Sequence, residues 1–157
     1  MINMGFKIKR RPFSSKLLIV LHIILGLGAI FGGVVLIIDP SGGIIQMPVT
    51  ILEGSIFSSF LIPGIILLTL LGILPLLAAY GLVRNQPLPI ANRLNLFADK
   101  DWAWTYSLYI GFILIIFIAV EAYIIKGFVA IHLGYIFWAL LIQALTLLPS
   151  VQRYYTL

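Results

Sequence analysis

Residues 102–148 read WAWTYSLYIGFILIIFIAVEAYII, then Lys126-Gly127, then FVAIHLGYIFWALLIQALTLL. Two apolar runs of 24 and 21 residues stand back to back across a two-residue turn. At about 1.5 Å of helical rise per residue, each is long enough to cross a hydrocarbon layer of about 30 Å. Backbone groups find no water in that layer and must bond within their own segment, so both runs are predicted to be helices. Lys126-Gly127 turns the chain back on itself, which predicts an antiparallel helical hairpin.

Outward from this hairpin, 17–38 and 57–83 are read in the same way. Spans at 17–38, 57–83, 102–125 and 128–148 leave an outer loop at 39–56 and a cytoplasmic loop at 84–101. The expected fold is all-α: a four-transmembrane-helix bundle, antiparallel and up-down, in a single integral membrane domain over 1–157. Composition agrees, with 62% hydrophobic and 10% charged residues and a mean hydropathy of +1.15. Soluble domains carry about 25% charged residues.

The net charge of +5 is a topology signal and not a nucleic-acid signal. Of ten Lys and Arg residues, Lys7, Lys9, Arg10, Arg11 and Lys16 precede or open the first span. Arg84, Arg93 and Lys100 lie between spans two and three, and Arg153 follows span four. Lys126 alone falls on the other side, and such a split predicts both termini in the cytoplasm. Arg10-Arg11 resembles a twin-arginine export signal. The run that follows it is longer than the about 7–15 residues of a signal core and ends at Asp39-Pro40-Ser41-Gly42, which predicts an uncleaved first span. Cysteine is absent, which excludes disulfides, thiolate metal sites and chemistry by a cysteine pair.

Several local features carry expectations. Ser14 or Ser15 is expected to cap the first helix. Small residues four apart, 28 with 32 and 29 with 33, predict close helix packing through Gly28, Gly32 and Gly33, with a self-dimer face as the alternative. Pro63 suits the opening turn of the second span, and Pro75 is expected to kink it. Trp102, Trp104, Tyr106 and Tyr109 read as anchors at the headgroup level, as do Tyr154 and Tyr155.

Ionisable side chains within spans are costly, and each calls for a reason. Glu121 lies six residues before Gly127 and His132 five after it, so the hairpin sets them at matching depth, about 8 Å inside the outer boundary. With Asp39 and Glu53 expected on the same side, these four form a candidate ligand, proton or ion-pair site. No HExxH-type spacing is present, and the sequence leaves a metal undecided. His22 and Gln143 lie at a common depth toward the other side and are expected to form an interhelical polar pair. No Ser–His–acid set, glycine phosphate loop or redox pair stands out, so neither an enzyme nor a cofactor is expected.

Asp39-Pro40-Ser41-Gly42, Leu52-Glu53-Gly54-Ser55, Ile62-Pro63-Gly64, Ala79-Tyr80-Gly81-Leu82 and Leu148-Pro149-Ser150 together resemble a group of small four-span bacterial membrane proteins. The resemblance implies a four-helix fold in a bacterial cytoplasmic (inner) membrane, and it carries no activity and no functional residues. Small multidrug transporters share the span count, yet they hold a glutamate in the first span where this chain has His22. The expected role is a non-enzymatic accessory, packing or lipid-binding protein. Its expected partners are membrane lipids, a second copy or a larger membrane complex. A small transporter or ion-binding protein using Glu121 and His132 is the alternative.

Overall fold

The first apolar run forms α1 (Phe13–Ile38) in the computed structural model, which describes residues 10–157. Lys7 and Lys9, part of the basic run, lie outside the described residues. Pro12 precedes α1 in an extended conformation and no side chain caps the helix. The expected capping role of Ser14 and Ser15 is therefore corrected: both stand inside the first turn, and Ser15 bonds the Tyr155 hydroxyl at 2.7 Å. The helix ends at Asp39, because Pro40 disfavours helix at the residue before it.

The second span is one continuous helix in three pieces: α2 (Leu61–Ile66), a π-helical stretch over Leu67–Ile73, and α3 (Leu74–Arg84). Pro75 explains the middle piece. It lacks the N–H that would bond the carbonyl four residues back, and its ring crowds that carbonyl, so the preceding ladder widens to i→i+5 bonds. The disturbance expected at Pro75 takes this form. A short α4 (Pro89–Asn92) lies in the following loop. The third and fourth spans are α5 (Trp102–Ile124) and α6 (Ala130–Leu147), and α7 (Pro149–Tyr154) ends the chain. Lys126, at φ 52°, makes the turn between α5 and α6. The four long helices have the length and apolar composition of a multi-pass membrane protein.

Glycine sets the distance between spans one and two. A Cβ at Gly26 would lie 2.9 Å from the Gly72 carbonyl, and one at Gly33 would lie 2.8 Å from Leu68 N and 2.9 Å from the Gly64 carbonyl. Gly26–Gly72 and Gly33–Gly64 thus form a two-point seam where backbone meets backbone. Of the residues expected to pack, Gly33 belongs to the seam and Gly32 approaches Leu67 at 3.3 Å. Gly28 does not: a Cβ there meets nothing within 4 Å, which corrects its assignment.

One end of the bundle is tied by side-chain bonds to backbone carbonyls. The Tyr155 hydroxyl donates to Leu82 O at 2.9 Å, and Arg11 donates to Val83 O at 2.7 Å and to Leu82 O at 3.2 Å. A cation there satisfies the free carbonyls at the end of α3. The last residues bridge to the loop before α5 through Lys100 and Thr156. The aromatic cluster belongs to the same end. Trp102 and Trp104 are 1% and 3% exposed, and their ring N–H groups donate to Gln86 O at 3.0 Å and Thr146 O at 2.8 Å. The Tyr106 and Tyr109 hydroxyls donate to Ala91 O and Leu94 O. These residues were expected as lipid anchors; instead Trp102, Tyr106 and Tyr109 pin the connecting loop to the bundle and Trp104 ties α5 to α6. Their polar tips find fixed carbonyls where water or headgroups would otherwise serve.

Candidate functional site: an apolar cavity under the 39–60 loop

Spans two and three do not stay together along their length. At the tied end α3 packs on α5, with Gly81 against Trp102 and Ala103. At the other end the Gly33–Gly64 contact draws α2 onto α1, and α2 hardly touches α5. The π-helical stretch lies between the two regimes. The divergence opens a cavity of about 700 Å³, walled by Leu36, Ile66, Leu70, Ile113, Phe117 and Val120.

The 39–60 loop roofs this space with Ile45, Met47, Leu52, Phe57 and Phe60. Asp39 organises the loop. Its carboxylate accepts from Ser41 N at 3.2 Å, from the Ser41 hydroxyl, and from Ile44 N at 2.7 Å. These bonds, the Ser41 hydroxyl foremost, hold the Asp39 carboxyl below the usual carboxylate range. Gly42 and Gly54, at φ 78° and 86°, turn the loop as bulkier residues could not, and Phe60 N closes it onto Pro40 O at 3.0 Å. Ile56 is 92% exposed on its outer surface.

Glu121 stands in the wall of this cavity and also in that of a second, of about 330 Å³, bounded by Gly28, Leu71, Leu114, Tyr135 and Trp138. The two share Gly32, Leu67, Phe117 and Glu121, so the carboxyl marks their junction. Here the open flank of Gly28 acquires a reason: a side chain there would occupy the inner cavity. Apart from Glu121 the larger cavity is walled by apolar side chains, and the smaller one adds Tyr135 and Trp138, whose ring N–H is buried without a partner among the described residues.

The four residues expected to form one site are not brought together. Asp39 is spent on its loop, and Glu53 is exposed after the 3₁₀ turn Val49–Leu52. Among the described residues no group of three His, Cys, Asp or Glu could hold a metal ion. His132 is near enough to Glu121 for their charges to interact, but the pair is not in ion-pair contact; the one such contact among the described residues is Lys100–Asp99. His132 is 3% exposed and its Nδ1 accepts the Val129 N–H at 3.0 Å, satisfying a free donor at the start of α6. Among the described residues the Glu121 carboxylate has no hydrogen-bond or ion-pair partner.

The expected His22–Gln143 pair is likewise corrected. His22 is 0% exposed and its Nε2 lies 2.9 Å from the Ser107 hydroxyl. Ser107 already donates to Ala103 O at 3.0 Å, so Nε2–H is the donor and Nδ1 keeps its lone pair. Gln143 lies against Gly111, one turn further along α5, and both Gln143 Nε2 and His22 Nδ1 are buried without a partner. Ser107 was passed over in the sequence because it sits within the aromatic stretch; a serine in an apolar run opposite a buried histidine was the available signal.

No family model matches the chain, and no curated protein or solved structure matches it.

Proposed function

We propose that this chain is a non-enzymatic, multi-pass protein of a bacterial cytoplasmic membrane that binds a lipidic molecule in its outer cavity, alone or as an accessory subunit of a larger assembly. The observation that carries the reading is the 700 Å³ space between the diverging spans, walled and roofed by apolar side chains. Pockets of about 300–1,000 Å³ suit single ligands. The space is open along one side, so an aliphatic chain can enter it from the surroundings and pack on its apolar walls. Ile56 on the roof suits a loop resting on the membrane surface.

The charge distribution supports an antiparallel up-down topology with both termini cytoplasmic and the cavity outward. A cysteine at Ser41 should react with an impermeant thiol reagent in intact cells and one at Ser150 should not; the reverse pattern overturns the orientation.

For ligand binding, the protein is purified in mild detergent and its retained lipids are identified by mass spectrometry, beside the variant Ile66→Trp. Wild type should retain a lipidic molecule and the variant should lose it, because an indole fills the wall between the spans. Equal retention refutes the reading. The position of Glu121 at the junction of two cavities favours a second reading, a small transporter or ion-binding protein. It requires water at the Glu121 level, so a cysteine at Val120 would react from outside in lipid-free and lipid-bound protein alike.

A further inference from the structure

We propose that the ligand of the outer cavity is a single-chain aliphatic amine, its ammonium paired with the Glu121 carboxylate and its chain lying between the second and third spans. The inference rests on the lipid-binding reading and adds the chemistry of the headgroup.

Among the described residues Glu121 is the one ionisable acid or base on the walls of the larger cavity, and it is shared with the smaller. It is half-buried among Phe117, Val120, Ile124 and Leu67, and among the described residues it has no hydrogen-bond or ion-pair partner. Carboxylates within spans are costly unless something of opposite charge or a donor meets them. The neighbouring candidates among the described residues make no such contact. His132 caps α6 through Nδ1, which leaves its Nε2–H free, but its ring is in neither hydrogen-bond nor ion-pair contact with Glu121, and Lys126 is exposed on the turn beyond. A positive ligand headgroup supplies the missing partner.

The same walls argue against a phosphate-bearing aminolipid. Among the described residues no Lys, Arg or His lines either cavity, so a phosphate brought in with the ammonium would meet mostly apolar surface and a like charge. Glu121 also lies three residues inside the end of α5, about 4.5 Å by helical rise, and a large hydrated headgroup would lose part of its water to reach it. A primary ammonium carried directly on an alkyl chain meets neither obstacle.

The test uses dodecylamine, dodecanol and dodecanoic acid as probes of equal chain length, with native mass spectrometry of the full chain released from detergent. The amine should bind at least about tenfold more tightly than the acid, with the alcohol between them. In Glu121→Gln the amine should fall to the level of the alcohol, while the alcohol itself is unchanged. The comparison of probes on wild type stands even where the variant fails to fold. Equal binding of all three probes overturns the ion pair and leaves chain binding intact. Failure of every probe to bind overturns the lipid-binding reading as well. Phosphatidylethanolamine binding as tightly as the amine, with the same dependence on Glu121, overturns the single-chain assignment.

Discussion

Gly28→Ala and Gly33→Ala place the same methyl group on the same helix, five residues apart, and should have opposite consequences. At Gly33 the new Cβ would lie 2.8 Å from Leu68 N, 2.8 Å from Leu68 Cβ and 2.9 Å from the Gly64 carbonyl. Ordinary carbon contacts begin at about 3.5 Å, so α1 and α2 must separate by roughly 0.6 Å or more. The atoms in the way are mainly backbone, and no rotamer change relieves them. At Gly28 nothing lies within 4 Å. Replacing Gly by Ala in a helix also brings a propensity gain of up to about 1 kcal/mol. That gain is common to both variants and cancels in their difference, which isolates the steric term. Overpacking of this kind costs about 1–3 kcal/mol.

Gly33→Ala should therefore be less stable than Gly28→Ala by about 1–3 kcal/mol, with Gly28→Ala at or slightly above wild type. Reversible unfolding in mixed micelles, followed by far-ultraviolet circular dichroism, measures the difference. Equal stability of the two variants would refute the seam geometry. A larger loss at Gly28 would refute it too, and would move the close contact to the 28–32 face.

Three further outcomes are expected. Tyr155→Phe should cost about 1–2 kcal/mol in the same assay, the lower part of the range for an unsatisfied buried group, because Leu82 O keeps its Arg11 donor while the Ser15 hydroxyl loses its partner. Ser107→Ala should cost about 1–3 kcal/mol by orphaning His22 Nε2, whereas Gln143→Leu, which removes a donor already unpartnered, should cost less or stabilise; the reverse ranking would refute the His22–Ser107 bond as the one that satisfies the buried imidazole. Since its bonds lower the Asp39 pKa in the folded loop, the loop order it supports should be complete above the ordinary carboxylate value of about 4 and fade as pH falls through the lowered value. Protection of the Ile44 amide, corrected for intrinsic exchange, follows that change, and Asp39→Asn should remove the pH dependence.

The spans were legible because length and apolar continuity are properties of the chain alone; the 102–124 helix ends within one residue of the run that predicts it. The Lys126 turn was legible for the same reason. What the sequence withheld depends on partners. Five small residues crowd the second half of the first span, and only the spacing of Gly64 and Gly72 on the second selects Gly26 and Gly33 among them. Matched glycine spacings in neighbouring antiparallel runs were the available signal. The Trp102–Tyr109 aromatics suit a headgroup belt and a set of carbonyl clamps equally well by composition, and the choice rests on Gln86, Ala91, Leu94 and Thr146 being within reach. Depth matching brought Glu121 and His132 near each other, but the free donors at the start of α6 claimed the imidazole.

The cavity could not be read from the sequence because it is the space that two contacts leave between them. Gly33 against Gly64 fixes the first half of the second span to the first span, and Gly81 against Trp102 fixes its second half to the third. A straight α-helix holding both contacts would carry Leu67 and Leu70 on faces set by a 3.6-residue period. The wider ladder over 67–73 shifts that phase and puts Leu67 in both cavities and Leu70 in the larger. Pro75 therefore acts on the site at a distance, through the ladder it interrupts and without lining either cavity. Glu121 keeps its isolation because the helix that leans away, α2, carries no side-chain donor, and among the described residues no other group is in hydrogen-bond or ion-pair contact with the carboxylate.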